Sequence, residues 1–368
     1  MTPIQQMTSS HRVAAHARFH RAVFTGFLRR LLSAKQLNTP RRLDGLDAWR
    51  PSWDGFPIFP GRDTVHRRTS LIAVVVSAAC FGTLAILTGL AYREGASPLP
   101  LLAWRFAIVT VLMAAYQLVR DPRALLSGAV DIGKYAALSL TGYGAASVCF
   151  FFALQHATAS VVAVLLYTYP AMVALLSALF FGESLTRKRV IAIVLTFAGC
   201  ALVVGLLSEK VDATLPGILL GLGAALGYSV FNLLSFRLVA SRPRLVIMTY
   251  TFGLSAIAIG LITVVSGGSL SPVGYSPSLW LLLGLIVLIP TLAAVLLYLN
   301  GVRRLGPAQA AIVSTMEPIF TIAMAAVFLG ERLDGMQLLG AALVVAGVVT
   351  AEWRQSASGV HTEELATV

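Results

Sequence analysis

Charge is what this sequence has least of. Only 12% of its 368 residues are Asp, Glu, Lys or Arg, against roughly 25% in an ordinary soluble domain. With 57% hydrophobic residues and a mean hydropathy of +0.81, that scarcity excludes a soluble globular chain. Cysteine is scarce too. Cys80, Cys149 and Cys200 all stand inside apolar segments, which excludes a disulfide framework and leaves no metal-ligand spacing. Five of the six histidines lie in the two end regions, so no metal cluster forms from them. A catalytic constellation is also missing: the apolar segments hold no His-rich motif, no pair of acids and no usable Ser-His-Asp set. No cofactor and no nucleic-acid partner are called for.

Apolar runs are there in abundance. A bilayer core asks for about 20 residues per spanning helix, and runs of that kind recur from residue 71 to residue 353. Ten fall between polar interruptions, at about 71–91, 98–119, 133–154, 157–181, 188–207, 216–237, 245–265, 278–299, 307–329 and 337–353. Their connections, such as "REGASP" and "DPRALLSG", carry loop residues. The expected fold is an all-α polytopic membrane protein with ten transmembrane helices.

Basic residues set the expected orientation. With the N-terminus inside, the inner connections and the flank of the last span hold twelve Lys and Arg, among them Arg120, Arg123, Arg187, Arg189, Arg303 and Arg304. The outer connections hold three, Arg93, Lys210 and Arg332. Both termini are therefore expected in the cytoplasm, with the chain in a plasma (bacterial inner) membrane. No cleavable secretory signal is expected, because the first long apolar segment begins at residue 71 and others follow.

One half of the chain repeats in the other. "VVAVLLYTYPAMVALLSALFFGESL" (161–185) aligns with "QAAIVSTMEPIFTIAMAAVFLGERL" (309–333) at an offset of 148. Pro170 falls on Pro318, Gly182 on Gly330, Glu183 on Glu331 and, further on, Gly199 on Gly347. Earlier helices match more weakly. Five spans per half is an odd number, so the second half enters the bilayer upside down. Such inverted repeats serve many secondary transporters, whose sites lie near the midplane beside interrupted helices. Pro170 and Pro318 mark those helix breaks, each freeing a carbonyl one turn earlier.

These motifs resemble the EamA domain of the drug/metabolite transporter superfamily. The resemblance covers about residues 70–353 and implies two inverted five-helix repeats that export or exchange amino acids, other metabolites or drugs. "LLAWRFA" (101–107), with Arg105, is similar to the family's second-helix pattern. The domain reading is a basic N-terminal tail over 1–68, repeats over 70–207 and 216–353, and a cytoplasmic tail over 354–368. The first tail holds twelve Lys and Arg and no acid before residue 44. Its composition fits a disordered tail, sequence upstream of a true start, an amphipathic helix on a lipid surface or an organellar transit peptide.

Glu317 and Arg105 are the acid and the base deep within the expected spans. A charge at a helix centre costs about 2.5–3.5 kcal/mol on insertion scales, so each needs a role. Three roles fit. The two pair with each other or with carbonyls; or they line a cavity, Arg105 taking a carboxylate or phosphate and Glu317 an amine; or Glu317 takes up and releases the proton that drives transport. Tyr143, Tyr167, Tyr169, Tyr228 and Asn232 supply mid-helix polar groups that need partners in lipid. Tyr169 stands where the second copy has Glu317. Tyr298 and Trp280, near span ends, read as interfacial anchors. Gly217, Gly221, Gly223 and Gly227 read as helix-packing residues, and Glu183 and Glu331 as turn or gating residues at helix ends near opposite surfaces.

The expected function is a secondary transporter that moves a small amino acid-like or amphipathic solute, or a drug, by alternating access, as exporter or exchanger. Its partners are that solute, membrane lipid and a proton as candidate coupling ion; monomer and homodimer both remain open. A channel, or a polytopic enzyme without a recognisable motif, is the alternative.

Overall fold

A computed structural model describes residues 64–181, 186–204, 213–238, 243–271, 275–305, 310 and 313–364. The basic tail up to residue 63 lies outside these, and so does the reading of it. Among the described residues the regular structure is helical, apart from one bridge between Ala157 and Ala213.

The first half runs through α1 (Thr64–Arg93), α2 (Pro98–Arg120) and α3 (Ala129–Ala137), which continues through a π turn (Leu138–Tyr143) into α4 (Gly144–Ala153). Then come α5 (Ala159–Leu166), α6 (Tyr169–Phe181) and α7 (Arg187–Val203). The second half holds α8 (Leu215–Leu238), α9 (Arg244–Val265) and α10 (Pro277–Ile286), which continues through a second π turn (Val287–Ala293) into α11 (Ala294–Leu305). It closes with α12 (Glu317–Met324), a third π turn (Ala325–Leu329) and α13 (Gly335–Glu364). α13 runs on past residue 353, where the last span was expected to end.

Sequence punctuation sets several of these boundaries. α2 and α10 both start on Ser-Pro, with Ser97 and Ser276 extended and proline in the first turn, where its missing amide costs nothing. Ser276 Oγ accepts from the Leu279 amide at 3.1 Å, and Thr158 caps α5 through the Val161 amide.

Seven helical runs are long and apolar enough to cross a bilayer. Three shorter apolar helices, Arg189–Val203, Glu317–Leu329 and Gly335–Thr350, coincide with the fifth, ninth and tenth expected segments. Outward faces carry Val111, Ile257 and Leu261, each more than 60% exposed. Lipid tolerates such a surface, whereas unpaired backbone there is excluded.

Four pairings organise the interior: α2 with α9, α7 with α13, α4 with α8, and α1 with α11. The α7–α13 contact is backbone on backbone. A Cβ at Gly199 would stand 2.5 Å from the Gly340 carbonyl oxygen, and one at Gly340 would stand 2.6 Å from that of Gly199. Only glycine permits that approach. The α8 glycines also lie at contacts, Gly217 against His156, Gly221 against Leu165 and Gly227 against Ala146. The largest buried cluster, with Leu101, Phe106, Phe151, Phe252 and Leu283, fills the space where α2, α4, α9 and α10 meet.

Candidate functional site

Two helix breaks frame the site. α5 stops at Leu166, Tyr167 and Thr168 form a turn, and α6 resumes at Tyr169. In the second half Thr315 and Met316 form the turn and α12 begins at Glu317. The two turns stand 148 residues apart (315 − 167), the offset that relates Pro318 to Pro170. Each proline is the second residue of the resumed helix and has no amide for the carbonyl four residues back. For Pro318 that carbonyl belongs to Ser314, and the Tyr167 hydroxyl reaches it at 2.8 Å.

The same hydroxyl lies 2.8 Å from Glu317 Oε2. A phenol has one proton to donate. Both contacts are full hydrogen bonds when Glu317 is protonated and donates to the phenol oxygen. An ionised Glu317 shares that single proton with the Ser314 carbonyl. Tyr167 is buried, whereas Glu317 keeps part of its surface accessible.

From Tyr167 a file of rings leads away from the acid. Tyr167 meets Tyr169 at 6.0 Å between centroids, Tyr169 meets Tyr228 edge-on at 4.8 Å, and Tyr228 meets Tyr143 at 6.3 Å. Tyr143 packs on Phe252 at 5.2 Å and on Phe106 at 6.0 Å. Asn232 Nδ2 donates to the Tyr228 carbonyl at 2.8 Å, and its side chain lies within reach of the Tyr228 hydroxyl. Edge-to-face contacts of this kind hold rings in fixed orientation. Tyr143, Tyr169, Tyr228 and Asn232 are all half-buried.

The file ends at Arg105, which is 2% exposed. Its guanidinium carbon lies 5.2 Å from the Phe106 centroid and 5.6 Å from that of Phe151. Nε donates to Thr291 Oγ1 at 3.0 Å, and the Thr291 hydroxyl donates to the Ile286 carbonyl at 2.8 Å. Tyr143 is the other polar neighbour. The direct Arg105–Glu317 pair, one of the expected roles, does not form, because the tyrosine file stands between the two. Lys134 and Asp131 form an ion pair at 3.3 Å, far from both.

Tyr298 is half-buried and packs against the cluster of Val74 and Ala310. Trp280 is 41% exposed and packs against Trp104 and Tyr275. Glu331 bridges the halves at the α5 N-terminus. Its Oε1 accepts from the Ala159 amide at 2.7 Å, and its Oε2 accepts from the Ser160 amide at 3.0 Å and the Ser160 hydroxyl at 2.7 Å. Glu183, its counterpart, lies outside the described residues. Among the described residues no group of His, Cys, Asp or Glu suits a metal ion.

A cavity of about 440 Å³ opens at the ends of α2 and α9, lined by Ser97, Thr263, Ser266, Ser269, Ser271 and Tyr275 together with Pro98, Pro100 and Phe152. Sequence reasoning found neither this mouth nor Thr291, although Pro290 inside an apolar run was a visible signal of an irregular helix.

The sequence matches the EamA-like transporter family over residues 68–205 and again over 215–351. It is 27% identical over 300 residues to the "Uncharacterized transporter YcbK" of Bacillus subtilis (strain 168), covering 78% of this chain and 94% of that relative. A Salmonella typhimurium protein named "Probable amino-acid metabolite efflux pump" is 28% identical over 186 residues, 47% of this chain and 60% of that one. A crystal structure overlays with a TM-score of 0.56 at 21% identity, over 77% of this chain and 96% of the other, a likeness of fold alone. With one full match in each half of a helical, apolar chain, this multi-pass membrane transporter belongs to the EamA-like transporter family.

Proposed function

We propose that the protein is a secondary transporter that exports or exchanges a small amino acid-like or amphipathic metabolite by alternating access. Its ten helical segments cross the bilayer as two antiparallel five-span halves, with both termini in the cytoplasm, and the halves rock about a site between Glu317 and Arg105. Tyr143, Tyr167, Tyr169, Tyr228 and Asn232 line that site. Glu317 meets an amine or carries the coupling proton, and Arg105 meets an acid group.

The observation that carries this proposal is the pair of helix breaks at 167–168 and 315–316, one in each half and joined by the Tyr167–Glu317 contact. Interrupted helices at corresponding positions, with polar groups at the breaks, are how carriers expose backbone and charge to a solute without exposing them to lipid. The packing agrees with two equivalent halves. α2–α9 and α7–α13 join counterparts, and the α4–α8 and α1–α11 pairings exchange into each other when the halves are swapped. The printed name of the Salmonella relative supports an amino-acid metabolite as solute.

Counterflow in proteoliposomes tests the proposal, using a panel of amino acids, organic amines and sugars. The expected result is saturable uptake of at least one solute, accelerated by unlabelled solute on the opposite side. Ohmic conductance would instead indicate a pore, chemical turnover an enzyme, and absence of flux for the whole panel would overturn the transport of these metabolites.

A further inference from the structure

We infer that Thr291 is a positioning residue which, with Tyr143, holds Arg105 as the subsite for a carboxylate on the solute. This rests on the transport role proposed above. The π turns Leu138–Tyr143 and Val287–Ala293 lie one in each half, and Tyr143 and Thr291 stand 148 residues apart, the repeat offset. Thr291 bonds the guanidinium at 3.0 Å, and Tyr143 packs on Phe106, whose ring the guanidinium overlies. The positions matching Arg105 at the 146 offset of the first helices and at 148 are Thr251 and Gly253, neither of them charged.

Pro290 sits inside the second π turn and has no amide for the Ile286 carbonyl, which the turn pairs with the Thr291 amide one residue further on. The Thr291 hydroxyl gives its only proton to that carbonyl at 2.8 Å, which leaves oxygen lone pairs to accept Arg105 Nε–H at 3.0 Å. The carbonyl therefore takes the hydroxyl's proton, and the hydroxyl oxygen holds Arg105 through Nε. Phe106 and Phe151 flank the guanidinium. With Nε engaged by Thr291, the terminal N–H groups form the fork that suits a carboxylate bidentately.

A cation 2% exposed, with no acid among the described residues at ion-pair distance, is costly as it stands. An anion brought by the solute offsets that cost. One guanidinium among neutral hydroxyls and rings matches a monoanion, whereas a phosphate dianion leaves a charge unmatched. Access follows the same helix. Pro98 and Pro100 line the hydroxyl-rich mouth, and Arg105 lies five residues beyond Pro100, about 7.5 Å deeper along α2.

The test uses the full-length carrier in detergent and reads ligand-induced thermal stabilisation. The probes are benzoate, phenylacetate and L-phenylalanine, each beside its own amide, with inorganic phosphate alongside. At least one carboxylate should stabilise the wild type at concentrations where its amide does not. Thr291→Val should weaken that carboxylate about tenfold, as expected for losing a hydrogen bond to a charged group, while Thr291→Ser stays within about twofold. Arg105→Lys reads the same contact from the other side, because lysine has neither Nε nor fork, and should lose carboxylate over amide preference. The inference is overturned if no carboxylate exceeds its amide, if phosphate exceeds every carboxylate, or if the Val and Ser variants lose equally. Counterflow that persists under any of those results leaves the transport proposal standing, whereas loss of all flux in the wild type removes the proposal itself.

Discussion

At the scale of single residues, Tyr167 does the most with the least. One hydroxyl meets the carbonyl that Pro318 leaves open and the acid beside that proline. Tyr167→Phe removes both contacts without changing the ring. It leaves a carbonyl without its donor and should lower stability by about 1–3 kcal/mol, measured as a lower unfolding temperature in detergent. Glu317→Gln makes the complementary test. The amide keeps the shape and a hydrogen bond to Tyr167 but cannot exchange a proton or balance an amine. This variant should insert and fold normally yet lose counterflow, and unchanged flux with unchanged pH dependence would assign Glu317 a purely structural role. The sequence showed that Glu317 needed a reason, and that Pro318 freed a carbonyl. It could not show that Tyr167 answers both needs, because the contact joins residues 150 positions apart and no local periodicity reports it. Thr291 was hidden for a related reason: a threonine in an apolar run carries no signal until its partner is known.

At the scale of elements, the helix ends and turns carry the specificity. Gly330 ends the third π turn with φ +73, a left-handed conformation that costs a side chain roughly 1–2 kcal/mol. That turn delivers Glu331 to the first amides of α5, where a carboxylate faces the positive end of the helix dipole. Because Glu331 belongs to the second half and α5 to the first, this cap also ties the halves together. Glu331→Gln should weaken the cap by about 1 kcal/mol. The check is an unfolding temperature that drops for Glu331→Gln and for Gly330→Val, with Gly330→Asn falling between Gly330→Val and wild type. If that tie must open during transport, Glu331→Gln will also change the counterflow rate while leaving solute affinity unaltered. Hydropathy and turn residues located the helical segments well, since composition alone sets them. Pro290 marked one helix as irregular, but the π turns themselves were not legible, because one inserted residue alters neither the length nor the apolarity of a run. It does rotate the face of everything after it by about 100°.

At the scale of the whole molecule, the packing is nearly unchanged by exchanging its halves. α2 meets its counterpart α9, and α7 meets its counterpart α13 through paired glycines. Counterparts that pack on each other lie on a pseudo-two-fold axis, and the proposed five spans per half would put that axis in the membrane plane. The mouth cavity supplies an independent constraint. Ser97, which precedes α2, and Ser269, which follows α9, line the same cavity and so lie on the same face of the molecule. The second to seventh expected segments separate them, an even number of crossings, as an antiparallel ten-span arrangement requires. Single cysteines at Ser97 and Ser269, in a background with Cys80, Cys149 and Cys200 replaced by serine, should both react with a membrane-impermeant thiol reagent added outside intact cells. Cysteines at Arg123 and Arg244, which flank the inner ends of α2 and α9 in this arrangement, should react only after permeabilisation. Reaction of the Ser97 and Ser269 variants from opposite sides would make the number of crossings between them odd, and the two halves could then not run antiparallel about a shared site.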